Sequence, residues 1–96
     1  MEPEKRFAHN SPVASVGTML ARRADLIAAV RRAHPGLERA ELVRTGERTF
    51  VDVWRWDSVE SLRAAQATAP TLPESGPAFA LTADITAEDG ELLDAR

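Results

Sequence analysis

Two periods of hydrophobic residues alternate along this chain, and each change of period marks a new element. From Val13 the spacing is helical. Val16, Leu20, Ile27 and Val30 share one face, and Met19, Leu26 and Ala33 widen it. Ser11 followed by Pro12 supplies an N-cap and a first-turn proline that would start this helix. Gly17 weakens the first turn by about 1 kcal/mol relative to Ala, so the helix is expected to firm up beyond it. His34-Pro35-Gly36 ends it, because a residue before proline resists helical angles and Gly36 can adopt positive φ.

The period then shortens to two. Leu37 to Arg44 and Thr49 to Trp56 read as strands joined through Thr45-Gly46-Glu47-Arg48, an antiparallel hairpin. In the second run Phe50, Asp52, Trp54 and Trp56 point to one side and Val51, Val53 and Arg55 to the other. Both sides are largely apolar, which calls for helices on one face and a second cover, such as a partner's sheet, on the other. Asp57-Ser58-Val59-Glu60 resembles a capping box, Asp57 capping and Glu60 reaching back. A second helix over Ser58 to Ala67 would turn Val59, Leu62 and Ala65 or Gln66 inward. Thr68 to Pro73 reads as a loop, Pro73 to Leu81 as a short helical turn broken by Gly76 and Pro77, and Ala83 to Leu93 as a charged last strand at an edge or exchanged between copies. Residues Met1 to Pro12 are short of pattern, a flexible tail or a short edge strand around Phe7. The order strand, helix, strand, strand, helix, strand is the split βαβ plan: an α+β, ferredoxin-like, four-stranded antiparallel sheet with helices on one face.

Size and composition narrow this further. Ninety-six residues make one domain with a thin core, which a second copy would thicken. The net charge of −3 disfavours a nucleic-acid surface, and Arg22, Arg23, Arg31 and Arg32 read as a solvated helix face. Without cysteine there is no disulfide, zinc-thiolate site or thiol nucleophile. No run reaches the roughly 18 apolar residues of a membrane span, and the first residues lack the apolar stretch of a signal peptide, so a cytoplasmic location is expected. No glycine-rich phosphate loop occurs, and no serine stands in a nucleophile-elbow context. Two histidines do not build a zinc or iron site by themselves.

The segment Phe50-Val51-Asp52-Val53-Trp54-Arg55-Trp56-Asp57-Ser58-Val59-Glu60, a strand ending in Trp and followed by Asp, Ser and an amphipathic helix, resembles the third strand and second helix of the antibiotic biosynthesis monooxygenase superfamily. The resemblance covers roughly Val13 to Leu93. It implies a homodimer whose sheets pack into an α+β barrel, with a cavity between sheet and helices able to hold a flat aromatic ligand. Some members oxidise aromatic polyketide intermediates with molecular oxygen, using neither metal nor flavin, and others degrade haem, so the resemblance implies the cavity and leaves the chemistry open. The chain departs from the haem-degrading members, which carry a histidine where Gln66 stands and an asparagine on the first strand; Asn10 lies too near the helix start to match. Of the asparagine and tryptophan that quinone-forming members use, Trp56 alone has a match.

Several residues carry candidate chemistry. Trp54 and Trp56 offer broad apolar walls, each with an N–H donor, and with Phe50 and Gln66 form the expected substrate-binding set; core or dimer packing is the plainer account of Trp54, and lining a ligand cavity that of Trp56. Asp52 shares their side of the strand and could serve as a general base on a phenol, or be spent in a salt bridge to Arg39 or Arg44. His34 is a candidate acid or base, although the helix dipole alone accounts for a cation there. His9 is expected to be solvated. Trp56, Asp52 and His34 are thus the catalytic candidates. Three functions remain open: a cofactor-independent oxygenase, a non-catalytic ligand-binding or accessory protein, and a cyclase or isomerase using the same cavity.

Overall fold

In the computed structural model, which describes residues 2–11, 16–80 and 82–96, the elements follow the expected order. They are β1 (Glu2–Asn10), α1 (Val16–Ala33), β2 (Leu37–Arg44), β3 (Thr49–Trp56), α2 (Val59–Thr68), α3 (Ser75–Phe79) and β4 (Ala83–Leu92), with a 3₁₀ turn at Ala69–Thr71 between α2 and α3. The four strands form one antiparallel sheet in the order β2-β3-β1-β4, and the helices cover one face of it, a ferredoxin-like α+β fold. No helix among the described residues is long and apolar enough to cross a membrane.

The hairpin follows from its period. β2 and β3 have the bounds that alternation predicts, in a register running from Leu37 opposite Trp56 to Arg44 opposite Phe50. The core forms where their helix-facing residues meet the helices: Leu37 and Trp56 pack with Leu26, Ile27 and Val30 of α1 and with Leu62 and Ala65 of α2. Helix α1 turns Met19 inward with Leu26, Ile27, Ala29 and Val30, while Leu20 is 45% exposed and Ala33 is exposed. A stripe through Met19 and Leu26 lies about 100° from Leu20, so the expected face is rotated by one residue at its start. The predicted helix start at Pro12 lies outside the described residues. Ser11 is buried and its backbone N–H donates to the Arg48 carbonyl at 2.9 Å.

Four local expectations are corrected. The N-terminal stretch is neither tail nor edge: β1 lies inside the sheet between β3 and β4, leaving β4 at the edge. Its charges are tolerated there because neighbours pair them, Glu4 with Arg6 (2.5 Å) and Arg55 (3.6 Å), Lys5 with Asp89 (2.8 Å). No glycine among the described residues has positive φ; Gly36 is needed for space, since a Cβ there would sit 2.6 Å from both Asp57 Oδ1 and Ser61 Oγ. The cap of α2 is Ser58 rather than Asp57, because the Ser61 N–H donates to Ser58 Oγ at 3.1 Å, and the adjacent Val59 faces out. Gly76 and Pro77 lie inside α3 instead of breaking it; proline in a first turn gives up an N–H that has no intrahelical partner anyway.

Candidate functional site

The helix-facing side chains of β1 and β3 pair level by level: His9 opposite Phe50, Phe7 opposite Asp52, Lys5 opposite Trp54. Above them α1 and α2 close a cavity of about 420 Å³. Its walls are apolar and partly aromatic. Phe7 and Trp54 meet edge to face at 6.4 Å, and Met19, Leu26, Val30 and Leu62 supply aliphatic surface from the helices. A volume of this order suits a small organic ligand.

Of the expected site residues, the structure brings Asp52, Trp54, Trp56 and Gln66 to this cavity. Trp56 is also a core residue, 3% exposed, and its buried indole N–H finds no acceptor among the described residues. From Phe50 to Trp56 the strand rises roughly 20 Å, so Trp56 stands at the far end of the cavity from His9. Phe50 is buried behind the lining, stacked on His9 at 5.7 Å with the Arg44 guanidinium over its ring at 5.5 Å. His34 does not reach the cavity lining. It sits past the end of α1, its Nε2 2.5 Å from Thr68 Oγ1. Asn10 is likewise spent elsewhere, its side-chain amide donating to Asp84 at 3.0 Å.

Asp52 has a partner that sequence reading did not name. Arg23 of α1 donates to it twice, Nε to Oδ2 at 2.9 Å and Nη2 to Oδ1 at 2.8 Å, and Trp54 Nε1 donates to Oδ1 at 2.8 Å. Neither Arg39 nor Arg44 makes this pair. Arg23 was read as part of a solvated face, yet it swings under the helix because a buried carboxylate without a partner costs several kcal/mol. The bidentate fork and the indole donor occupy both carboxylate oxygens and hold the Trp54 ring against the cavity.

His9 was expected in solvent and is 8% exposed, lining the cavity with its Nδ1 unpartnered among the described residues. Burial pushes its pKa below the ordinary 6.5, against the opposing attraction of Asp52. The imidazole is therefore neutral at neutral pH. The one signal that could have found it was strand parity, which puts His9 on the same side as Phe7. Among the described residues no group of three or more metal-ligating side chains gathers.

Fold and cavity together define a ferredoxin-like α+β protein with a mostly apolar cavity between its sheet and its helices. Neither a protein-family model nor a curated protein sequence matches the chain. Solved structures do. SnoaB, a cofactor-independent oxygenase from Streptomyces nogalater, superposes with a TM-score of 0.74 at 18% identity, covering 99% of this chain and 97% of that one. A Caulobacter crescentus protein that carries the antibiotic biosynthesis monooxygenase name gives 0.72 at 16% identity, over 97% and 91%. A MhuD variant with two manganese protoporphyrin IX molecules per active site gives 0.65 at 22%, over 98% of each chain. The chain shares the fold of these solved structures.

Proposed function

We propose that the protein is a cofactor-independent monooxygenase that acts, as a homodimer, on a flat aromatic, polyketide-type small molecule. The observation that carries this reading is the cavity itself: about 420 Å³ of mostly apolar, aromatic-walled space whose central charges, Arg23 and Asp52, neutralise each other. Such a site offers a planar ring an apolar bed and a fixed orientation, which is what a substrate able to reduce oxygen by itself requires from its protein. An aromatic ketone with an ionisable methylene forms an electron-rich enolate. Transfer of an electron from it to molecular oxygen and recombination turn the methylene into a carbonyl, one oxygen atom staying in the quinone and the other leaving as water. Trp54, fixed by Asp52, and Trp56 at the far end would hold the ring plane. The likeness to SnoaB supports this chemistry, and the half-exposed valines on the open face of the sheet support a second copy there.

A second reading, a non-catalytic ligand-binding protein, is favoured by one observation: two of the three residues first considered catalytic are spent, Asp52 on Arg23 and Trp54, His34 on Thr68. Oxygen uptake decides between the two. Purified protein given a dihydroxyanthracenone should consume oxygen above the rate of buffer alone, and Trp56→Ala should lose most of that activity. Binding by tryptophan quenching without uptake would favour the non-catalytic reading, and turnover that persists without air would point to a cyclase.

A further inference from the structure

We infer that His9 is the catalytic base of this cavity, its imidazole accepting the proton that an aromatic ketone loses from a carbon conjugated with its carbonyl group. The inference rests on the monooxygenase reading for its substrate class, but not on the oxygen step.

Among the described residues, four ionisable side chains line the cavity: Lys5, His9, Arg23 and Asp52. Lys5 is an ammonium paired with Asp89 at 2.8 Å and has no lone pair to offer. Arg23 does not deprotonate in proteins. Asp52 has both oxygens engaged, by the Arg23 fork and the Trp54 indole, so neither is presented to a ligand. His9 remains: it lines the cavity, its Nδ1 has no partner among the described residues, and burial favours its neutral form.

The backbone is arranged around this residue. Ala8 pairs with Thr86 and Asn10 with Ala83, so two residues of β4, Asp84 and Ile85, stand opposite His9 alone. This is a bulge, and Asp84 takes the left-handed conformation in it, φ 53°. Asp84 is tied to Asn10, and Ile85 joins the cavity wall. On the other side Phe50 of β3 lies nearly parallel to the imidazole, 23° between planes. The Phe50 stack orients the ring, and the bulge lies across the strand from it. The charged groups around it are Arg23 from α1, Asp52 from β3, Arg44 from β2 on the Phe50 ring and Asp84 from β4.

In the step, the C–H bond of the substrate breaks and its electron pair passes onto the carbonyl oxygen as an enolate. The proton becomes the second N–H of His9; the Asp52 carboxylate attracts the imidazolium and the Arg23 guanidinium opposes it. Nothing is oxidised.

The step can be read without oxygen. A dihydroxyanthracenone in deuterium oxide under nitrogen should exchange its central methylene protons faster with wild-type protein than in buffer, followed by proton NMR. His9→Gln should slow the protein-dependent exchange about 100-fold, while tryptophan quenching by the same compound shows binding retained. A second measurement needs no variant: the wild-type exchange rate should hold through neutral pH and fall only on acidification beyond the ordinary histidine range, as His9 becomes protonated. Exchange undiminished in a folded His9→Gln protein, or none above buffer in the wild type, overturns the assignment. His9-dependent exchange without oxygen uptake in air upholds the base and sinks the oxygenase reading. Uptake that ignores His9 does the reverse.

Discussion

A carboxylate on the helix-facing side of β3 would be costly if unpaired, and Arg23 shows how the chain meets that cost. The pair is largely buried, with side-chain exposures of 18% for Arg23 and 11% for Asp52, and its fork geometry is bidentate. Removing one partner leaves an uncompensated buried charge; removing both leaves a hydrophobic contact. Arg23→Ala should therefore lower stability by about 3–5 kcal/mol. The double variant Arg23→Met with Asp52→Leu should recover most of that loss, both read by urea unfolding. Losses that simply add in the double variant would show that the two side chains act separately. The position of Asp52 among aromatic residues was legible in the sequence; its partner was not. The two lie far apart in the chain, and the sequence signal of Arg23, one of two adjacent arginines on a helix, is that of a solvated charge.

At the scale of elements, glycine gives the clearest contrast. Gly36 is where the chain leaves α1 for β2, pressed against the start of α2: the Asp57 N–H donates to its carbonyl at 2.9 Å, and an added Cβ would lie 2.8 Å from Ser61 Cβ. Gly76 in α3 has nothing within 4 Å of such a Cβ. Gly36→Ala should thus destabilise by about 1–3 kcal/mol through overpacking. Gly76→Ala should be neutral or stabilise by up to about 1 kcal/mol, as helix propensity rises. Thermal unfolding of the two variants checks the opposite signs; a similar loss in both would mean that space is not what Gly36 provides. The hairpin and α2 were readable because their periods are strong. β1 was not, since an interior strand that carries Glu4, Lys5 and Arg6 in succession reads like an edge until its neighbours are known to neutralise it.

At the scale of the molecule, one face of the sheet carries the helices and the other is bare. Val51 and Val53 are half-buried there and Val43 is 53% exposed, beside the chain of charges Arg6, Glu4, Arg55 and Glu41. The homodimer we propose would cover this face, and a stable interface of that kind takes on the order of 800 Å² from each copy. Sedimentation should accordingly give twice the 10.5 kDa of the chain, and Val53→Asp should shift it towards monomer. A wild-type protein that sediments as a monomer at micromolar concentration would refute the dimer.

By itself, the sequence determined the order of the elements, the bounds of β2 and β3 and the side of β3 that carries Asp52, Trp54 and Trp56, because these follow from the local periodicity of side-chain direction. The tertiary structure decided which strand lies inside the sheet, that Arg23 rather than Arg39 or Arg44 meets Asp52, and that His9 is enclosed while His34 is outside the cavity lining. These depend on strand order and on how α1 lies across the sheet. Both arise from burying the apolar surface of all the elements at once, and no window of the sequence contains them.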